Sequence, residues 1–245
     1  MLSKEKENQL SKYVSYILRH SPEEIGIKLE EQGWTNVTEF IQKSQSKYVF
    51  DLENRKLVGD FETMYQNESK ENFDSWHQDD ARQLQRKIDL VILEDYNFEK
   101  IIDLGCGKGN LTHLLKKKNN TVLGIDISQT AVNIAQERFP DIDFLSTDVN
   151  KVENFTALAD KMGGVDLVFT SEVFSYIENW KELLQEISKS SEYFMISLYI
   201  PENPIGFVKS ENDLVEEIEK NFDVIEHISL SKTNFVIIFS KRKNI

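Results

Sequence analysis

The run Ile101 to Asn110, IIDLGCGKGN, sets a carboxylate, Asp103, two residues ahead of glycines at 105, 107 and 109. Ile101 and Ile102 make a short apolar strand. Glycines placed just after it let the backbone turn sharply, at positive φ, and come close to a ligand. Leu111-Thr112-His113-Leu114-Leu115 then continues as a helix, and its first N–H groups face the same crevice. Such a turn at the carboxyl end of a parallel strand is where open α/β sheets bind nucleotides. LGIDIS at 123–128 is a second apolar strand, and its acid, Asp126, comes twenty-one residues after Gly105. At that distance an acid can hold both hydroxyls of a ribose. The pyrophosphate-binding pattern is G-x-G-x-x-G, whereas this chain has D-x-G-x-G-x-G. A strand-end carboxylate repels a pyrophosphate and suits a ligand with a cationic or zwitterionic part.

At these residues the chain resembles the class I S-adenosylmethionine-dependent methyltransferases. Two further motifs follow in that family's order: FLSTDV at 144–149 and VDLVFTSEVFSYIEN at 165–179. The resemblance covers about residues 59–245 and implies S-adenosyl-L-methionine as cofactor. It implies that Asp103 sits near the amino-acid end of the cofactor, while Gly105, Cys106 and Gly107 line its path. Cys106 is expected there as a small packed residue. Asp126 takes the ribose hydroxyls and Ile127 packs on adenine. Asp148 accepts from the adenine amine, with the Val149 N–H near the ring, and Ser171 closes the cofactor set at the end of the fourth strand. The segments GDFETMYQ and FDSWHQDDARQLQRK are similar to the cap of N-methyltransferases of the nodulation-factor kind. There a Trp and a following Arg reach the cofactor carboxylate; the matching residues are Trp76 and Arg86, with Arg82 or Lys87 as alternatives to Arg86 and Tyr65 as a further candidate.

Methyl transfer from a sulfonium needs the nucleophile, carbon and sulfur in line, and a base only where the acceptor carries a proton. The loop Thr170 to Tyr176 lies beside the methyl group in this fold. Glu172 and Tyr176 are therefore the base or acceptor-ligand candidates, and His77 is a third. Many small-molecule members have a histidine near position 176; here it is Tyr176, which speaks against histidine-based catalysis. The asparagine–proline–proline–tyrosine signature of adenine and glutamine methyltransferases is absent, since the strand ends in FTSE. The expected reaction is methyl transfer to an N or O atom of a small molecule.

These residues need a sheet to hold them. The pattern of apolar runs and periodic segments predicts α/β alternation. Strands are expected at 101–104, 121–126, 142–146, 165–170, 192–199, 222–230 and 234–240. Helices are expected at 109–118, 128–138, 154–161, 179–189 and 211–220. A preceding helix over 84–96 is expected to turn Leu84, Ile88, Val91 and Ile92 inward. The short connection SLSKTN makes the last two strands an antiparallel hairpin. The resemblance implies a Rossmann-like seven-stranded sheet in the order 3-2-1-4-5-7-6. The loop YIPENPIGFVKS at 199–210 is long enough for a substrate lid, and FVIIFS can lie in the sheet or at an interface.

Residues 1–45 read as a separate, small helical module, winged-helix-like: a helix with Leu10, Val14, Ile17 and Leu18 on one face, stopped at Ser21-Pro22. Residues 46–60 are a polar linker in which YVF and KLV can add short strands, and 61–245 is the larger domain. The first module resembles the amino-terminal part of the RNA 2′-phosphotransferase family of the KptA type. The resemblance rests on Leu18-Arg19-His20, Pro22-Glu23, Ile25-Gly26 and Gly33-Trp34. It implies an RNA-phosphate role for Arg19 and His20. The NAD-binding lobe that completes that family's site does not follow, so phosphotransferase activity is not expected. A scaffold role is favoured, and docking of RNA through Arg19 and His20 is the alternative.

Net charge is −13, and it is unevenly spread. Residues 1–58 hold nine basic and nine acidic side chains, and 59–245 hold 20 and 33. An acidic domain is repelled by phosphate backbones, which favours a small-molecule acceptor over RNA. The single cysteine leaves no internal disulfide and no multi-cysteine metal site, and no metal is expected. No apolar run reaches the roughly 18–20 residues of a membrane span, and MLSKEKENQL lacks a signal-peptide core, so a cytoplasmic location is expected. A non-catalytic cofactor-binding protein is the reading from another class.

Overall fold

The computed structural model describes residues 49–51, 54–71, 74, 78 and 83–244. The chain divides into two compact units, Met1–His77 and Gln78–Ile245. In the first, β1 (Phe50–Asp51) pairs antiparallel with β2 (Lys56–Leu57) across a turn that Asp51 closes, accepting from the Asn54 N–H. These two short strands fall on the YVF and KLV runs. Helix α1 (Phe61–Glu71) follows, its first turn capped by Asp60, which accepts from the Thr63 N–H. It buries Met64 and Tyr65.

The second unit is one seven-stranded sheet with helices on both faces. In chain order the elements are α2 (Leu84–Glu94), β3 (Lys100–Leu104), α3 (Asn110–Leu115), β4 (Thr121–Asp126), α4 (Gln129–Arg138), β5 (Asp143–Ser146) and α5 (Val152–Met162). These are followed by β6 (Val165–Ser171), α6 (Trp180–Ser190), β7 (Ser191–Tyr199), α7 (Glu211–Ile218), β8 (Phe222–Leu230) and β9 (Phe235–Arg242). The strands lie in the order β5-β4-β3-β6-β7-β9-β8, which counted from the first strand of the sheet is 3-2-1-4-5-7-6. Strands β5 to β7 run parallel, and β9 pairs antiparallel with both β7 and β8. The FVIIFS strand is therefore inside the sheet, with Val236 to Ser240 buried.

Alternation along the central strands feeds two cores. Ile102, Leu104, Val168, Phe194 and Ile196 pack against Phe155, Leu183, Ile187 and Leu214 on one face. Ile101, Leu167, Phe169, Met195 and Ile237 pack with Leu93 and Leu115 on the other. Helix α6 shows why this works: Trp180, Leu183, Leu184 and Ile187 recur at helical spacing, and all four are buried. Burying one such side chain contributes ~1.5–3 kcal/mol.

Two expectations change. Helix α3 ends at Leu115 rather than near 118. Three consecutive lysines follow, and Asn120 turns the chain by donating to the Leu115 carbonyl while accepting from the Lys117 N–H. Helix α2 meets its predicted face only in part: Ile88 and Ile92 pack half-buried against the core. Leu84 and Val91 are exposed, at 57% and 65%, and Gln85, Arg86, Asp89 and Leu93 are buried instead. Its inward stripe is largely polar because its first two turns face the ends of the strands, where the ligand crevice opens. Among the described residues, no helix is long and apolar enough to cross a membrane.

Candidate active site

The glycine turn between β3 and α3 is the fixed point of the site. Gly105, Gly107 and Gly109 all have positive φ, between 52° and 82°. At Gly105 the need for glycine is also steric: a Cβ there would lie 2.0 Å from Val173 Cγ2. Gly105→Ala is expected to destabilise the fold by ~1–3 kcal/mol through the left-handed backbone, and further through that overlap. In denaturant unfolding, adding Val173→Ala should recover the packing part and leave the backbone part.

The amides of the turn are committed within the protein. Gly105 and Cys106 donate to the Ile125 carbonyl at 2.7 and 2.9 Å. Gly107 donates to Asp126 Oδ2 at 2.9 Å, and Lys108 to Gln78 Oε1 at 2.8 Å. A pyrophosphate-binding turn keeps such N–H groups for the ligand. This turn offers shape and carboxylates, which is the chemistry of a ligand with positive charge.

Three acids surround it. Asp103 is buried, and Thr112 Oγ1 donates to it at 2.6 Å. Burial pushes its carboxyl up to about 7, with the Asp126 charge adding to the shift and the Thr112 bond opposing it. Asp126 ends β4, and its second oxygen accepts from the Ser128 N–H at 2.9 Å. Ser128 in turn caps α4 by accepting from the Ala131 N–H. Ile127, beside it, is 46% exposed, an apolar platform at the strand end. Asp148 lies beyond β5, accepting from the Asn150 N–H, and Val149 packs half-buried against the core. Cys106 is buried, and burial together with Asp126 and Asp103 pushes its thiol well above the ordinary range, so it is inert packing.

The other half of the crevice is built by the ends of β6 and β7. Ser171 is the last residue of β6, and Glu172 follows at φ 64°, its N–H donating to the Ser197 carbonyl at 2.7 Å. Phe174 is fully buried against Phe194 and anchors the loop. Burial pushes the Tyr176 phenol up, and the Glu172 charge pushes it further. At neutral pH Tyr176 is therefore a hydrogen-bond donor and not a base. The 200–210 loop packs on this segment: the Phe207 N–H donates to the Ser175 carbonyl at 2.7 Å, and a Cβ at Gly206 would meet that same oxygen at 2.4 Å.

Helix α2 brings Arg86 and Asp89 to the same end of the sheet. Arg86 is buried and donates from Nη1 to the Gln78 carbonyl at 3.2 Å. Trp76 and His77, like Arg19, His20 and Arg82, lie outside the described residues. His113, on the helix that follows the turn, stacks on Phe139, and His227 pairs with Glu211 at 2.8 Å. Three site residues have no local signal in the sequence: Gln78, whose side chain lies over the turn, Asp89, and Ser197 on β7. Their roles depend on how α2 and the chain before it lie on the sheet.

The chain matches two family models. One, a methyltransferase domain, covers residues 102–191. The other, RNA 2′-phosphotransferase, Tpt1/KptA family, covers residues 5–135, and its last part overlaps the first. A trans-aconitate 2-methyltransferase of Rhizobium rhizogenes is 28% identical over 144 residues, 58% of this chain and 50% of that protein. A probable RNA 2′-phosphotransferase of Flavobacterium johnsoniae is 55% identical over 38 residues, 16% of this chain and 21% of that one. The chain thus spans half the length of the first relative and about a fifth of the second. Among solved structures, the N-methyltransferase NodS from Bradyrhizobium japonicum, in complex with S-adenosyl-L-homocysteine, has the same fold. Its TM-score is 0.60 at 15% identity, covering 75% of this chain and 98% of that one.

Proposed function

The chain belongs to the RNA 2′-phosphotransferase, Tpt1/KptA family through residues 5–135 and matches the methyltransferase domain over residues 102–191, and from that premise we propose that it methylates an N or O atom of a small molecule. The observation that carries this reading is the pairing of Asp126 with the glycine turn on one side of β3, with the loop after β6 on the other. The residues fit the cofactor. Asp126 has two oxygens at the β4 end, Ile127 offers an apolar face, and the turn carries carboxylates where a sulfonium and an ammonium need them. Bound there, S-adenosylmethionine supplies an activated methyl group with a neutral leaving group. The chain's own residues orient it: Asp126 holds ribose, Asp148 with Val149 meets adenine, Asp103 faces the amino-acid end, and buried Arg86 takes the carboxylate. The resemblance assigns Trp76 the same role. Ser171 closes the cofactor set at the end of β6, Glu172 and Tyr176 border the acceptor, and His77 is a further base candidate.

The test is transfer of labelled methyl groups to a panel of small metabolites and, separately, to RNA. Label in small molecules alone supports this reading. Label in RNA alone moves the reading to an RNA methyltransferase docked through Arg19 and His20, which the 55% identity of the first module favours. Cofactor binding with no acceptor in either set would leave a cofactor-binding protein without catalysis.

A second result follows from Asp103. With its carboxyl at about 7 it is half protonated at neutral pH. A cation beside it favours the charged form. Binding of S-adenosylmethionine at pH 7 is expected to release about half a proton, and S-adenosylhomocysteine, without the sulfonium, less. Calorimetry in two buffers of different ionisation enthalpy measures this, and Asp103→Asn should abolish the release.

A further inference from the structure

Asp89 is a carboxylate in a place where carboxylates are costly. It is 0% exposed, and neither of its oxygens has a hydrogen-bond partner among the described residues. Ser197 Oγ, fully buried and also without a partner among the described residues, lies beside it. Among the described residues, the charged groups facing Asp89 are Glu172 and Arg86. Structural buried carboxylates are almost always hydrogen-bonded, because desolvating one without compensation costs several kcal/mol. Position decides what this one is for. Asp126 and Asp148 stand at the β4 and β5 side of the central strand β3; Ser197 is on β7 and Glu172 follows β6, on the opposite side. The β4 and β5 acids of the cofactor set thus stand on one side of β3, and Asp89, with Ser197 and Glu172, faces the other, acceptor side, with Arg86 at the border of the two.

We propose that Asp89, with Ser197 and Glu172 beside it, receives the protonated amine of the methyl acceptor, so that the substrates are amine-bearing small molecules methylated on nitrogen. This rests on the methyltransferase reading and narrows it to a substrate class. An ammonium has three donors and one positive charge, which matches two carboxylate oxygens and a hydroxyl. A carboxylate acceptor has no such donors to offer, so acids such as trans-aconitate are disfavoured. The chemistry balances. The bound ammonium gives a proton to the Asp89 carboxylate and becomes a neutral amine. Its lone pair forms the nitrogen–carbon bond as the carbon–sulfur bond breaks, and that electron pair goes to sulfur, leaving a neutral thioether and a methylammonium. Burial pushes the Asp89 carboxyl up to about 8, within reach of accepting that proton.

The test uses the full chain saturated with S-adenosylhomocysteine or labelled S-adenosylmethionine. The probes are butylamine, benzylamine and glucosamine, each against its hydroxyl counterpart, with trans-aconitate as the acid. Thermal shift of the S-adenosylhomocysteine complex reads binding, and label transfer reads turnover. Amines alone should shift the melting temperature and take label, and Asp89→Asn should lower kcat/KM for amines by at least ~100-fold while affinity for S-adenosylhomocysteine changes by less than ~threefold. Asp89→Glu, which restores the charge, should recover part of the loss. Label or shift with the hydroxyl or acid probes but not the amines overturns the proposal, and so does wild-type binding of none of them. Loss of S-adenosylhomocysteine binding in Asp89→Asn also overturns it, and assigns Asp89 to the cofactor's own ammonium. Failure of the wild type to bind S-adenosylhomocysteine is a separate outcome, and it sinks the methyltransferase reading itself.

Discussion

Asp126→Ala is expected to weaken binding of S-adenosylhomocysteine by at least ~100-fold, equivalent to about 2.7 kcal/mol. Two losses combine. The first is the pair of ribose hydroxyls, each a hydrogen bond to a charged acceptor worth ~1.5–3 kcal/mol. The second is internal. Asp126 accepts from Gly107 on the turn and from Ser128 at the start of α4, at 2.9 Å each. Without it both amides lose their acceptor, and the turn loses the tie that fixes it to the end of β4. Asp126→Asn should be intermediate, since an amide keeps one acceptor oxygen and puts a donor where the Gly107 or Ser128 N–H points. Calorimetric titration of both variants with S-adenosylhomocysteine measures the ladder. Wild-type affinity in Asp126→Ala would remove the cofactor site from this turn.

Asp126 is also where the sequence is most legible. A strand end, a glycine turn and the next strand end are set by local chemistry: apolar runs, backbone freedom and helix capping within a few residues. The same holds for the order and bounds of the strands, because each buried parallel strand is a near-continuous apolar run. Helix α2 shows where this fails. Periodicity picks out Leu84, Ile88, Val91 and Ile92 as its inward face; Ile88 and Ile92 do pack half-buried against the core, yet Leu84 and Val91 are exposed while Arg86 and Asp89 are buried. Apolar periodicity finds the face that meets a hydrocarbon core. It misreads a helix whose first two turns lie over a ligand crevice, where the inward residues must be polar. Arg86 was visible only through a family resemblance, and Asp89 was not visible at all. Its meaning comes from Ser197, 108 positions along the chain on β7. Gln78 likewise meets Lys108 across 30 positions. Glu172 was marked by its place after β6, but its left-handed backbone, uncommon for a residue with a side chain, was not.

The burial of Asp89 should appear directly in stability. Its carboxyl rises from the ordinary 3.8 to about 8, with burial as the main cause and Glu172 adding to it, against smaller opposing effects of Ser197 and Arg86. For an acid raised on folding, the native state holds a proton that the unfolded chain releases. Between pH ~4 and ~8 the unfolded state therefore binds fewer protons, and stability falls as pH rises through that window. The full penalty, on the order of 5 kcal/mol, is present above the folded value and absent below the unfolded one. Asp103, raised to about 7 by burial, adds a slope of the same sign that ends about one unit lower. Asp89→Asn keeps the shape and removes the ionisation. The variant is expected to match the wild type near pH 4 and to exceed it increasingly toward pH 8, by several kcal/mol. Denaturant unfolding at pH 5, 6, 7 and 8 reads this as a widening gap between two lines. A gap that stays constant with pH would mean that Asp89 ionises as freely in the folded protein as in the unfolded chain. The same substitution should then be more stable at alkaline pH and yet poor at methyl transfer. A side chain kept for packing would not give that pair of effects, and one kept for chemistry at the cost of stability would.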